Sequence, residues 1–280
     1  MTEVSAIQMA QTIYNVSTPV PQPFEFEKIV DKDNRIRWMQ NNWHHSIYWS
    51  IFYVIVIFSV QRFMRNRPAL DLKTPLIIWN LGLALFSLGG TVRMLPGFLH
   101  IIQEFGFTFS VCDNQYGRRI QPSVFWGWLF VTSKVLEFGD TLFIVLRKRK
   151  LLFLHWYHHI MTLMMCWYTT GHLVAVTHWF GVMNYFVHSL MYSYYALSAL
   201  NIKMPRIIAM FITSLQLSQM VIGSFVCYWA IHTKWQGKPC EFPDNAVIVA
   251  LTVYITYVLL FARLFYNSYI SKSNKKLKSK

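Results

Sequence analysis

Seven apolar windows, near residues 46–64, 75–96, 123–145, 151–170, 179–198, 207–231 and 246–267, follow one another with short polar loops between them. Each approaches the roughly 20 residues that a helix needs to cross a hydrocarbon core about 30 Å thick. Lipid offers no water to backbone N–H and C=O groups, so a crossing segment must pair them internally, as an α-helix does. The pattern predicts an all-α integral membrane fold with seven transmembrane helices. Residues 1–45 form a loose arm, 46–267 one membrane domain and 268–280 a basic tail. The third and fourth windows are polar enough to blunt the signal. Charged residues make up only 14% of the chain, against about 25% in soluble domains. Pro68, Pro75, Pro122 and Pro205 stand at window edges, where helices tolerate them. The first forty residues hold no apolar core with a small-residue cleavage site, so no cleavable signal peptide is expected.

The formal charge of +14 would point to nucleic acid if it covered a soluble surface. Its distribution says otherwise, and no basic–aromatic nucleic-acid motif accompanies it. With the N-terminus outside, the cytosolic segments hold Arg62, Arg65, Arg67, Lys73, the run Arg147-Lys148-Arg149-Lys150, Lys203, Arg206 and five tail lysines, with Asp71 their single acid. The opposite side is close to neutral. Loops rich in Lys and Arg stay in the cytosol, so the N-terminus is expected in the lumen and the C-terminus in the cytosol. Asn15-Val16-Ser17 is then a luminal glycosylation sequon. Lys276-Leu277-Lys278-Ser279-Lys280 resembles a dilysine signal for return to the endoplasmic reticulum, its alternative being an ordinary basic tail. Cys112 and Cys240 fall in luminal loops, where an oxidising compartment permits a disulfide, the alternative being two free thiols. Cys166 and Cys227 lie inside windows and read as packing residues.

Ionisable groups inside a membrane are costly and usually face a cavity or a partner. Here they gather. The third window carries Lys134, Glu137 and Asp140 at i+3 steps, and the fourth opens on His155, His158 and His159. The fifth places Asn184, His188, Tyr192 and Tyr195 on one face, and the sixth adds Thr213, Gln216 and Gln219. Four consecutive polar stripes most economically share one interior. Singly, each of these residues reads as a helix–helix hydrogen bond or a paired charge; four histidines with so many polar companions read as a site.

Metal binding is one reading of the HxxHH pattern, which resembles a box of membrane di-iron enzymes. Those enzymes need about eight histidines on one side. His44, His45, His100, His172, His178 and His232 map to the other side of the bilayer, leaving four. There is no HExxH and no cysteine pair of zinc spacing, so no metal is assigned. The other reading is imidazole acting as base or nucleophile toward an acyl group. The basic run beside it, Arg147, Lys148 and Arg149, suits the phosphates of coenzyme A. An acyl-CoA fits the whole: phosphates at a cationic rim, thioester at the histidines, tail in the apolar interior.

KVLEFGDT at 134–141, HWYHH at 155–159, NYFVHSLMYSYY at 184–195 and TSLQLSQ at 213–219 together resemble the signature set of the very-long-chain fatty acid elongases. The similarity runs from about residue 35 to 270. LRKRKLLFLHWYHH and FARLFYNSYI look most like the branch typified by fatty acid elongase six, which extends saturated and monounsaturated chains of about palmitoyl length. The resemblance implies a seven-helix endoplasmic reticulum protein whose spans two to seven surround a tunnel open to the cytosol. It implies condensation of acyl-CoA with malonyl-CoA to 3-oxoacyl-CoA, CO2 and CoA, with no bound cofactor. A separate reductase and dehydratase complete the cycle, and a homodimer is compatible with it. On this reading His158 is the nucleophile, while His155, His159 and His188 orient it or stabilise oxyanions. Asn184, Tyr192, Gln216 and Gln219 supply hydrogen bonds, and Lys134, Glu137 and Asp140 brace the site. General-base catalysis without a covalent step and attack by Cys166 are alternatives within the same function. A heptahelical lipid carrier or receptor and a di-iron oxidoreductase are alternatives outside it.

Overall fold

The computed structural model describes residues 21–271 apart from 30 and 116; Asn15 and the tail lysines lie outside the described residues. The helices are α1 (Lys32–Asn42), α2 (His45–Met64), α3 (Lys73–Cys112), α4 (Gln121–Leu136), α5 (Gly139–Leu146), α6 (Phe153–Gly171), α7 (Thr177–Ala199), α8 (Arg206–Trp235) and α9 (Asp244–Phe265), the last continued by a π-turn, Tyr266–Ile270. No strand occurs among the described residues.

Every apolar window falls on helix. Among the described residues four helical segments are both long and apolar enough to cross a membrane: α2, α3, α8 and Asp244–Ile270. The polar residues that interrupt α6 and α7 dilute their hydropathy, and the third window is split between α4 and α5. The second window is extended: α3 runs on to Cys112 and kinks at Gly106, whose φ of +81° lies where a side chain is strained. Large apolar side chains line the outer face of α3, where Leu81, Leu85, Leu88 and Val92 are half exposed or more. An exposed apolar row of this length needs lipid or a partner to cover it.

The arm is not loose where it is described. α1 packs on α6, with Met39 fully buried. Ahead of it, the short turn Glu25–Glu27 delivers a fully buried carboxylate, Glu27. Arg93 Nε donates to Glu27 Oε1 at 2.8 Å and its Nη2 to Oε2; Trp126 Nε1 and the Phe24 amide donate at 2.7 and 2.9 Å. Burial alone would raise the Glu27 pKa, but these donors outweigh it and hold the carboxyl below its usual range. Arg93 is a cation inside the second apolar window, and its partner is this distant arm residue.

Close packing sets the helix spacing. The Tyr185 ring of α7 occupies the space where a Cβ on Gly90 of α3 would stand. Its hydroxyl donates to the Trp126 carbonyl at 2.9 Å, tying α3, α4 and α7 together. At the end remote from the basic loops, a disulfide joins Cys112 of α3 to Cys240 before α9.

Candidate functional site

The break between α4 and α5 shapes the site. Phe138 and Asp140 form i→i−3 bonds to Val135 and Glu137, and the Phe138 ring stacks on Tyr53 of α2 at 4.1 Å. The tightened turn redirects the predicted stripe. Lys134 and Glu137 form a buried pair, Nζ to Oε1 2.6 Å, set behind the cavity, whereas Asp140 lines it. Asp140 accepts from Trp79 Nε1 at 2.6 Å and from the Tyr192 hydroxyl at 2.7 Å.

One cavity of about 690 Å³ receives the polar faces of α5, α6, α7 and α8. Its walls carry His155, His158, His159, His188, Asn184 and Asp140, together with Tyr192, Tyr195, Gln216 and Gln219. Arg147, Arg149 and Lys73 stand on its lining beside Asp71 at the end of the basic loops. That size is within the range of small-molecule sites, roughly 300–1,000 Å³.

The imidazoles are held unequally. His155 Nε2 lies 3.0 Å from Thr141 Oγ1, which also meets the Tyr53 hydroxyl at 2.6 Å. His159 Nε2 is 3.9 Å from Asp140 Oδ2, and its ring is 4.6 Å from that of His155. His188 Nε2 is 3.0 Å from Asn184 Nδ2, while Asn184 Oδ1 accepts from Lys134 Nζ at 2.9 Å. Lysine only donates, so it turns the amide oxygen toward itself and the amide N–H toward His188. The Nε2 of a neutral His188 therefore accepts, which places its proton on Nδ1. His158 differs: Nδ1 is buried with no partner, and the ring is packed between Tyr257 at 4.8 Å and Phe261 at 6.0 Å. The Tyr257 hydroxyl donates to the His158 carbonyl at 3.2 Å and meets Thr162 Oγ1 at 2.9 Å. The ring also lines the cavity, and a neutral imidazole nitrogen there can attack an acyl carbon or take a proton.

Several expected placements differ. Lys148 does not line the cavity; with φ +53° it turns away, and its Nζ donates to the carbonyls of Arg65 and Arg67. A cation beside orphaned carbonyls at a helix end satisfies them rather than a ligand. Thr213 bonds the Ala209 carbonyl and meets the Tyr269 hydroxyl, off the cavity wall. Gln216 Nε2 contacts Met191 Sδ at 3.0 Å. Cys166 is buried among apolar side chains and is not part of the lining. Among the described residues no three His, Cys, Asp or Glu side chains converge as metal ligands. Sequence reasoning missed Tyr53, Trp79, Thr141, Thr162 and Tyr257. Thr141 follows Asp140 directly, a usable signal; the others are single hydroxyl or indole groups in apolar runs and give none.

The ELO family model, described as the GNS1/SUR4 family, matches residues 38–277. The chain belongs to the ELO family. It is 44% identical over 255 residues to very long chain fatty acid elongase 6 of Drosophila melanogaster, covering 90% of this chain and 81% of the relative. The human protein of that name is 40% identical over 265 residues, covering 95% and 99%. Putative fatty acid elongase 3 of Caenorhabditis elegans is 42% identical over 252 residues, covering 89% and 78%. The resemblance carried by the four sequence motifs is borne out. This ELO protein is a membrane enzyme of fatty acid elongation, and membership implies the condensing step.

Proposed function

We propose that the protein is a 3-oxoacyl-CoA synthase that condenses a long-chain acyl-CoA of about palmitoyl length with malonyl-CoA. On this reading the chain crosses the endoplasmic reticulum membrane seven times, with the N-terminus in the lumen and the cavity mouth in the cytosol, an orientation supported by the Lys and Arg bias of the loops. The observation that carries the reading is the His158 ring, packed against Tyr257 and Phe261 and lining a cavity whose walls also carry the cations Arg147, Arg149 and Lys73 and the apolar Val187, Met191 and Met220. Arg147, Arg149 and Lys73 receive the CoA phosphates. The His158 imidazole attacks the thioester carbonyl, the C–S bond breaks, and CoA leaves with a proton as the free thiol. An acyl-imidazole remains. Malonyl-CoA then loses CO2, and the electron pair of the broken C–C bond becomes an enolate. The enolate carbon forms the new C–C bond at the acyl carbon, the C–N bond breaks, and the departing imidazolate takes up a proton from solvent, which restores His158 as 3-oxoacyl-CoA departs. His155, His159 and His188 stabilise charge on the tetrahedral oxygens or set the orientation of the attacking ring.

The test uses purified protein with acyl-CoA alone. Release of one equivalent of CoA before any malonyl-CoA is added, with an acyl adduct located on His158 by mass spectrometry, is the expected result. His158→Ala should lose condensation, while Cys166→Ala retains it. Normal condensation by His158→Ala would end the proposal, and absence of the CoA burst would leave general-base catalysis in its place.

A further inference from the structure

A second cavity lies at the other end of the bundle, remote from the basic loops, between α1, α4 and the junction of α6 with α7. Its volume is about 170 Å³. Seven buried side-chain nitrogen or oxygen atoms among the described residues lack a hydrogen-bond partner. One is His158 Nδ1 and another is Ser46 Oγ. The other five are Arg118 Nε, Ser123 Oγ, Thr170 Oγ1, Thr177 Oγ1 and His178 Nε2, and all five residues line this one chamber. Buried polar atoms in native proteins are paired with protein, water or ligand, and a concentration of unpaired ones calls for an occupant.

The donor set limits what that occupant can be. Arg118 Nε can only donate, each of the three hydroxyls can donate, and His178 Nε2 can donate in the matching tautomer. The charged residues on the lining are Lys32, Arg35 and Arg118 against one carboxylate, Asp113, which has interactions of its own. Arg35 stands 5.6 Å over the Trp128 ring. Arg118 Nη2 has the carboxylate of Asp33 at 3.9 Å, and that aspartate is largely exposed. A metal cation would meet a positive wall, and an apolar tail would leave all five atoms unpaired. An acceptor of several hydrogen bonds carrying negative charge matches both the sign and the chemistry.

Access is built in. Lys32, Asn114, Arg118 and Leu173 belong to this chamber and also to a wider surface groove of about 650 Å³. At about 30 Å³ per water, the inner chamber holds one tetrahedral oxyanion with a water or two. We infer that this chamber is a binding site for a phosphate-type oxyanion, separate from the histidine cavity, supplied either as a free ion or as the headgroup of a lipid.

The experiment follows thermal unfolding of the purified full-length protein in detergent by tryptophan fluorescence. One arm titrates inorganic phosphate against chloride at matched ionic strength; the other adds phosphatidic acid to phosphate-free micelles. A ligand that binds only the folded state raises Tm in a saturable way. The expected result is such a rise, lost in Thr177→Val and Thr170→Val and weakened in Arg118→Gln. The two valine substitutions delete a hydroxyl at nearly constant volume, so they report on the chamber even if the arginine variant folds poorly. A rise with phosphate identifies a free ion, and a rise with phosphatidic acid alone identifies a headgroup. No saturable rise in either arm, or a rise that the valine variants leave unchanged, overturns the inference and leaves a chamber filled by water only. Condensing activity enters neither arm, so the outcome is independent of the reading of the histidine site.

Discussion

The buried Lys134–Glu137 pair offers the sharpest test of how the site is held. The side chains are 2% and 6% exposed, with Nζ 2.6 Å from Oε1. Nζ also donates to Asn184 and lies 4.1 Å from the centroid of the Phe130 ring. Apart from Lys134, the Glu137 carboxylate has, among the described residues, only Ser133 Oγ at 3.4 Å. Lys134→Met therefore strands a carboxylate, and Glu137→Met strands an ammonium with one amide oxygen. Removing one partner of a buried pair costs about 3–5 kcal/mol, whereas replacing both by apolar residues is often near neutral. At about 2–4 °C per kcal/mol for a large domain, each single variant should lose roughly 6–20 °C in Tm. The double variant should be more stable than either single one, short of the parent by about 1 kcal/mol for the lost Asn184 bond. Scanning fluorimetry in detergent reads all four corners of the cycle. Activity separates the roles: with Lys134 gone nothing turns the Asn184 amide, so the refolded double variant should still condense slowly. Singles within about 2 °C of the parent, or a double variant as unstable as the two losses added, would refute the account.

Three further outcomes follow from groups at the two ends of the bundle. Arg147→Ala and Arg149→Ala should each raise KM for CoA substrates by roughly 10- to 100-fold with a smaller change in kcat, the worth of a charge-assisted contact. Lys148→Ala should leave KM alone and lower Tm, because its ammonium serves two backbone carbonyls; steady-state kinetics beside a melt distinguishes them. Glu27→Gln should destabilise the parent by about 1.5–3 kcal/mol at neutral pH. The folded carboxyl has a depressed pKa, so its contribution is complete above the unfolded value near 4.3 and fades as pH falls through the lower folded value. The Tm difference between parent and variant should thus shrink on acidification; a gap that widens below pH 4 would contradict the Arg93 contact.

What was readable in the sequence divides by the range of the forces involved. Hydropathy is local, so all seven windows land on helix, and histidines at i, i+3 and i+4 in an apolar run declare a shared face. The α4–α5 break was hidden because Phe138 needs Tyr53, a residue of another helix, to stack on. Lys148 illustrates the limit of counting charge, since nothing in a basic run says which cation caps a helix and which faces a ligand. Arg93 was more informative than it looked. A cation in an apolar window must have a partner, and no acid stood within helical reach, so the rule already required one from afar; it came from Glu27, 66 residues away. Unmet valence is thus a signal in its own right. Applied to the folded chain, the same reasoning separates His158 from its three neighbours, and it singles out the chamber at the far end, whose lining includes five residues with such an atom.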